Sequence, residues 1–500
     1  MQEKQTINKS YILPIAVMFM LYFMIAFVTN FAGSMGVIVK NQYDVSNAMS
    51  QLGTLANFIA YACMGVPAGI ILKRKGYKFT SLAAVVVGLV GVAIQWLSGP
   101  LGSFAVYVCG AFVAGFSMCM LNVVVNPMLN TLGGGGNRGN QLNLFGGTLN
   151  SLGGTLAPIL LGYLIGGMAE YAQVSDAAPA MLLAMIIFAF AFVVIFFTNI
   201  PEPHKETEAE KTARLSGKAK RDPHSPLSFR HFVLGAVAIF FYVGVEVGLP
   251  NIANLYMTTL NEETARQTIA KYEEQHADEV VLEELLQADA EALARINNIA
   301  DRRAKKAAQQ AYTQLVIDDE AYEQAIEVIE GTSQPGLGME AGVAGLFIGF
   351  YWLLMLVGRL IGGSIGGKVS SKTMLTCVSL VCIIFLVCLM FVPAKMINIP
   401  LIDYNLPLNI LFLILCGLCT SVMWGSIFNL AAEGLGKYTP AASGIFMALV
   451  CGGGILPFFQ GLLADGVGYL MSYVVPIVAL LYILFYALWG SKNVNTDIEV

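Results

Sequence analysis

Charged side chains are scarce in this sequence: 28 Lys and Arg and 33 Asp and Glu make 12% of 500 residues. A soluble domain carries about 25%. Histidine is scarcer still. His204, His224, His231 and His276 all fall in polar stretches or at the edge of an apolar one. No buried imidazole relay follows from them, and little acid–base chemistry is left for a membrane enzyme. A nucleotide loop of the G-x-x-x-x-G-K-[ST] type is missing, which excludes ATP-driven work. The nine cysteines lie in apolar stretches. Cys416 and Cys419 have C-x-x-C spacing, but on a helix in lipid that reads as packing. The expectation is no metal, no cofactor and no disulfide framework. No nucleic-acid partner is expected either.

What the sequence does hold is apolar length: 56% of it is hydrophobic. About 20 mostly apolar residues cross a ~30 Å hydrocarbon core. Such stretches recur at 11–39, 49–72, 79–99, 103–131, 141–167, 178–199, 229–257, 341–366, 373–393, 405–431, 441–464 and 469–490. The expected fold is all-α and integral to the bilayer, with twelve transmembrane helices in two six-helix bundles. The first run is too long for a signal-peptide core and is read as a retained span.

An even number of spans puts both termini on one side. Lys73, Arg74, Lys75, Lys78, Arg138, Lys368, Lys372 and Lys437 fall in loops on that side, against Lys40 and Lys395 opposite. Basic loops stay in the cytoplasm, so both termini are expected there, with the chain in the plasma membrane.

Two polar segments interrupt the pattern. Residues 201–228 are charged and Pro-bounded, and read as a cytoplasmic linker between bundles 1–200 and 229–500. Residues 259–340 form an insertion after span seven, with helix-period apolar residues such as Val281, Leu282, Leu285, Leu286, Leu293 and Ile296. It holds 18 acidic and 7 basic residues, a net of −11, while the rest of the chain nets +6. It reads as an acidic helical cap on the extracytoplasmic side.

The halves echo each other. Gly153-Gly154-x-x-x-Pro158-x-x-x-Gly162 in span five matches Gly452-Gly453-x-x-x-Pro457-x-x-x-Gly461 in span eleven. The segment Gly69–Lys78 after span two parallels Gly363–Lys372 after span eight. Duplication explains both. Glycine lets helices approach closely in lipid, and proline bends them. Two repeated bundles around a central path can rock as an alternating-access device.

The loop with Lys73, Arg74, Gly76 and Lys78 resembles the signature loop of the major facilitator superfamily, with Lys73 in place of the usual acid. Asn126-Pro127, Leu142-Asn143-Leu144, Leu149–Gly153, Phe240–Glu246, Gly358-Arg359 and Ser421–Phe428 resemble its fucose/galactose/glucose–cation symporter family. The resemblance implies that spans one, four, seven and ten line the path, that the membrane is a bacterial inner membrane, and that the carrier works as a monomer. The chain departs from proton-coupled fucose-type members. Gly33 and Asn122 stand where those carry an aspartate and a glutamate, and Gly147 stands near an expected glutamine. Proton coupling through those groups is not expected.

Candidate substrate residues are the polar groups within spans: Asn30, Asn122, Asn126, Asn143, Asn150, Asn251 and Trp424. Asn122, Asn126 and Asn130 share a helix face. Amides in lipid need partners, and sugar hydroxyls both donate and accept; the alternative is interhelical glue. Trp424 offers a flat face to a sugar ring, or plain packing. Glu246 is the candidate coupling group, since an ionisable side chain in an apolar span is costly and usually functional. It would exchange H+ or ligate Na+, or serve as a permanently paired structural acid. Arg359 is assigned a structural role near the gate, with Pro158 and Pro457 as helix bends. Counting about 1.5 Å per residue from the cytoplasmic edge separates the levels of Glu246 and Arg359 by ~10 Å, so a direct pair needs offset helices.

These features point to secondary active uptake of a small sugar or sugar derivative by cation symport. The alternatives are export of an amphipathic molecule, or a receptor that senses through the insertion.

Overall fold

A computed structural model describes residues 11–133, 136–202, 206, 224–275, 296, 302–365, 369–399 and 404–494. Among the described residues, twelve helices are long and apolar enough to cross a membrane: Ile12–Gln42, Leu52–Lys75, Tyr77–Leu101, Phe104–Leu132, Phe145–Ile165, Ala178–Phe197, Arg230–Thr258, Ala341–Ile365, Ser371–Phe391, Leu408–Ala432, Ala441–Val467 and Tyr469–Gly490. They are called spans one to twelve. Each lies within a few residues of its expected place, because hydropathy over ~20 residues is a direct reading of the bilayer.

The sequence did not announce several details. Span ten is two helices, Leu408–Thr420 and Met423–Ala432, broken at Ser421 and Val422. Span eleven breaks likewise at Val450 and Cys451, just before its three glycines. A hairpin of β1, Met396–Ile399, and β2, Tyr404–Pro407, joins spans nine and ten. A four-residue helix, Asn47–Ser50, precedes span two.

The echoed Gly/Pro segments pack alike, which gives the repeat a physical meaning. A side chain at Gly153 would strike the backbone of Phe23 in span one; a side chain at Gly452 would strike the backbone of Phe240 in span seven. Each segment thus lies against the first helix of its own half. The next glycine faces the other half. Gly154 meets Trp352 of span eight, and Gly453 meets Phe58 of span two. Further along, Gly162 abuts Ala341 and Gly461 abuts Ala48, again across the halves. Spans five and eleven are therefore the seams between the first six spans and the last six. No hydrophobic drive separates helices from lipid tails, so backbone proximity through glycine supplies the packing. Pro158 and Pro457 sit inside these seam helices. The Pro158 carbonyl lies against Gly345 of span eight, and the Pro457 ring approaches Gly248 of span seven.

The two ends of the bundle differ. At the end carrying the insertion, Asp465 accepts from the amides of Asn47 (2.8 Å) and Ala48 (3.1 Å), capping the helix Asn47–Ser50 from the other half. Tyr469 donates to Asn47 Oδ1 at 2.7 Å. Lys40 Nζ donates to Tyr469 Oη at 2.8 Å and to Thr259 Oγ1 at 3.1 Å. That end is closed.

At the opposite end, Gly76 turns the chain between spans two and three at φ +92°, a conformation that favours glycine. Glu202, beyond span six, accepts from the amides of Tyr77 (2.5 Å) and Lys78 (3.0 Å) at the start of span three. A carboxylate suits the positive end of a helix. The amide of Glu206 bonds the Lys73 carbonyl at 2.8 Å. Lys78 lies 6.0 Å from the Phe196 ring, and Arg74 is exposed.

Within the insertion, Glu262–Gln275 and Arg302–Glu330 are helical. Val281, Leu282, Leu285, Leu286 and Leu293 lie outside the described residues, as do Lys368 and most of the 201–228 segment.

Candidate functional site

Midway along the spans, polar side chains from both halves meet in a string. Glu246 on span seven is an acid in a long apolar helix, and Arg359 on span eight reaches it. Arg359 Nη2 lies 3.3 Å from Glu246 Oε1, and both side chains are mostly buried, 16% and 14% exposed. The ~10 Å gap reckoned from the sequence is thereby corrected. That count measured Cα height along straight helices from unequal starting points, whereas a guanidinium reaches several ångströms beyond its Cα. Arg359 also reaches the first half. Its Nη1 donates to the Gly147 carbonyl at 2.6 Å and to Asn150 Oδ1 at 3.4 Å, both on span five. One guanidinium thus joins the acid of the second half to the backbone of the first. A buried charge persists only when paired and hydrogen-bonded, and the planar fork of arginine supplies several donors at once.

The string continues into the first half. Asn150 Nδ2 donates to the Tyr22 carbonyl on span one at 3.0 Å. The Tyr22 hydroxyl donates to Asn126 Oδ1 on span four, and reaches Asn143 Oδ1, on the turn of helix that leads into span five, at 3.3 Å. Asn126 and Asn122 each donate to the carbonyl one turn earlier, Asn122 and Met118, both at 3.1 Å. Asn122 also donates to the Tyr61 hydroxyl on span two at 3.0 Å. Asn122, Asn126, Asn143 and Asn150 keep partial exposure in the protein interior. Asn122 spends both amide hydrogens on Met118 and Tyr61, while Asn126 and Asn150 each donate once to a carbonyl.

On the second-half side, Tyr351 of span eight donates to the Glu246 carbonyl at 3.1 Å and lies 3.3 Å from Thr420 Oγ1, just before the break in span ten. Tyr242 is buried one turn before Glu246, and its ring lies 6.2 Å from that of Trp424. Trp424 is partly exposed. Asn30 bonds its own helix at Ala26 (2.9 Å) beside Gly154 and Trp352.

Asn251 stands apart from this string. It is buried near the closed end, donating to Gln51 Oε1 at 3.1 Å and Thr54 Oγ1 at 3.4 Å. A side chain at Gly33 would overlap it. The space of the aspartate expected at Gly33 is therefore filled by Asn251, which ties span seven to span two. Asn130 and Asn254 do not join the string either, Asn254 being buried near the closed end.

Sequence reasoning missed Tyr22, Tyr61 and Tyr351, the hydroxyls that link the amides. Their signal was a phenol inside an apolar span, which is ambiguous because tyrosine also packs as an aromatic. Among the described residues, no group of three or more His, Cys, Asp or Glu is placed to hold a metal.

The arrangement offers a charge pair that bridges two halves and a row of amides and hydroxyls beside it.

Comparisons with known proteins agree in fold. The model of the Major Facilitator Superfamily matches residues 17–268. A glucose/galactose transporter of Brucella abortus is 26% identical, the match covering 97% of this chain and 96% of that one. The L-fucose-proton symporter of Escherichia coli is 20% identical over 97% of this chain and 95% of that one. Among solved structures, the E. coli fucose:proton symporter in the outward conformation superposes with a TM-score of 0.59 at 18% identity, covering 97% of this chain and 100% of that one. The inward-open E. coli xylose transporter superposes with a TM-score of 0.58 at 11% identity, covering 94% and 95%. With half its length matched by the family model and its twelve spans arranged as in these carriers, this multi-pass membrane protein belongs to the Major Facilitator Superfamily.

Proposed function

We propose that this protein takes up a sugar or sugar derivative by alternating access, coupled to symport of H+ or Na+. The observation that carries the reading is the Glu246–Arg359 pair at 3.3 Å, set where the two halves meet and beside the Asn150–Tyr22–Asn126 string. The names of the relatives, glucose/galactose transporter and L-fucose-proton symporter, support the substrate class.

The chemistry of such a site is direct. Paired with Arg359, Glu246 is a carboxylate, and the guanidinium is occupied. A proton or Na+ arriving at Glu246 loosens the pair. Arg359 then keeps its bonds to Gly147 and Asn150 and has donors to spare for a sugar oxygen. Cation and sugar thus favour each other, which is symport. The aromatic faces of Trp424 and Tyr242 are the surfaces for the apolar face of the ring. Asn30, Asn122, Asn126, Asn143 and Asn150 are proposed as hydroxyl partners. Asn251 is proposed as a bond of the closed end rather than a substrate contact.

We further propose that both termini face the cytoplasm of a bacterial inner membrane, that 201–228 links two bundles, 1–200 and 229–500, and that the carrier acts as a monomer. Basic residues concentrate in loops on the terminal side. The test is uptake into proteoliposomes of labelled hexoses, amino sugars and disaccharides, with an imposed proton gradient, a sodium gradient or neither. Accumulation of one sugar under one gradient is the expected result. Absence of accumulation and of exchange for every sugar would overturn the substrate class and leave the fold intact.

A further inference from the structure

The acidic insertion grows from the second half of the carrier, yet it docks on the first half. Its roots are the end of span seven and the start of span eight. Its two described helices also contact the first half. Thr268 donates to Glu170 Oε1 at 3.3 Å, and Lys271 Nζ lies 4.2 Å from the centre of the Tyr171 ring. Both partners belong to the short 3-10 helix Ala169–Tyr171 between spans five and six. On the second insertion helix, Gln324 Nε2 donates to the carbonyl of Asn41 at the end of span one, at 3.3 Å. The two insertion helices brace each other: Tyr272 and Tyr322 stack at 4.4 Å, and Tyr272 donates to Asp319 at 2.7 Å. In this structure the braced pair rests on the first half while Lys40, Asn47 and Asp465 tie the halves together at the same end.

We propose that the insertion, through residues 262–275 and 302–330, is a clasp that holds the carrier closed on the insertion side and must detach from the first half before that side opens. The reading rests on alternating access but not on the identity of the substrate. A rigid element that contacts one state and not the other biases the equilibrium by its differential contact energy.

The docking seam is also charged in a particular way. Glu320 is half-buried in the docked state, with Asp44 of the first half and Glu323 and Asp319 of its own helix around it. Burial, then these neighbouring acids, push its carboxyl up to about 7. Glu327 is raised by burial, Asp44 and Glu323, and lowered by Lys40. Glu170 is raised by burial and eased by Thr268 and Lys271. Asp319 and Glu323 travel with Glu320 on its own helix, so burial at the seam and Asp44 are what bind its proton more tightly in the docked state. Docking is thus fullest at acid pH and weakens as pH rises through about 7.

The experiment reads distance rather than transport. Spin labels at Met49→Cys and Met471→Cys, one in each half near the closed end, report the separation in lipid nanodiscs, with the exposed native cysteines Cys63, Cys109 and Cys377 changed to Ser. The expected result is a rise of about threefold or more in the long-distance population for Lys271→Ala/Gln324→Ala, and for the parent on going from pH 5.5 to pH 8. Glu320→Gln/Glu327→Gln should flatten the pH response. Identical distributions in parent and Lys271→Ala/Gln324→Ala would overturn the clasp. A second arm is independent of folding defects: Glu170→Cys/Thr268→Cys is joined by a short thiol linker in the folded carrier. The linked protein should lose the long-distance population and regain it when the link is cut. Opening that persists in the linked protein would sink the proposal. Neither arm uses a sugar, so a wrong substrate class leaves both results interpretable.

Discussion

Arg359 bridges Glu246 at 3.3 Å with one nitrogen and the Gly147 carbonyl at 2.6 Å with another, so a single side chain spans the boundary between the two halves of the carrier. The acid alone would be a strained charge in an apolar helix. Paired, it is the switch that the cation opens in the proposed mechanism.

Glu246→Gln removes that switch while keeping size and hydrogen-bonding capacity. Accumulation against a gradient should fall at least tenfold. Exchange of labelled for unlabelled sugar across the membrane, which needs no net cation movement, should persist. Measuring both in the same proteoliposomes decides the role; equal loss of exchange would mark Glu246 as a folding or binding group instead.

Arg359→Ala leaves Glu246 buried without its partner. Breaking one side of a buried pair destabilises by about 3–5 kcal/mol, so thermal unfolding in detergent should shift down by several degrees. Glu246→Gln/Arg359→Met removes both charges and should recover part of that loss, because no uncompensated charge stays buried although the Gly147 carbonyl and Asn150 lose their donor. If the double variant is no more stable than Arg359→Ala, the pair is not what holds spans seven and eight.

Tyr22→Phe deletes one hydroxyl from the string, freeing Asn126 and Asn143 together. The ring still fills its space, so stability should change little. Loss of two positioned amides should raise the KM for sugar by about tenfold, equivalent to about 1.4 kcal/mol. A KM within twofold of the parent would place Asn126 and Asn143 away from the substrate.

Lys40→Met removes the donor shared by Tyr469 and Thr259 at the closed end. Together with Asp465→Asn, which weakens the cap on Asn47 and Ala48, it should favour the state open on the insertion side. The rate of thiol labelling at Asn251→Cys by a membrane-impermeant reagent added from that side should rise at least threefold. Unchanged labelling would mean that the seam glycines, not these polar bonds, keep the end shut.

Much of the molecule was readable before any coordinates. Glu246 declared itself as an acid within an apolar run, and the Gly/Pro echo of spans five and eleven declared the repeat. The amides of spans four and five were visible as polar residues with nothing in lipid to bond. Their grouping was not. Asn251 and Asn150 looked equivalent as amides in spans, yet one ties off the closed end and the other sits beside Arg359. Depth along a helix follows from counting residues, but the direction a side chain faces depends on how its helix is turned against its neighbours. That rotation is set by close glycine contacts such as Gly461 on Ala48, which no local pattern encodes.

The sequence by itself determined the twelve spans, the scarcity of internal charge and the acidic character of the insertion. Each is a one-dimensional property: hydrophobic length against bilayer thickness, and local composition against water. Only the tertiary structure decided that Arg359 meets Glu246, that Tyr22 gathers the amides, and that an insertion rooted in one half lies on the other. Those facts belong to helices packed side by side, where residues far apart in sequence are brought within 3.3 Å of each other by backbone approach and side-chain reach.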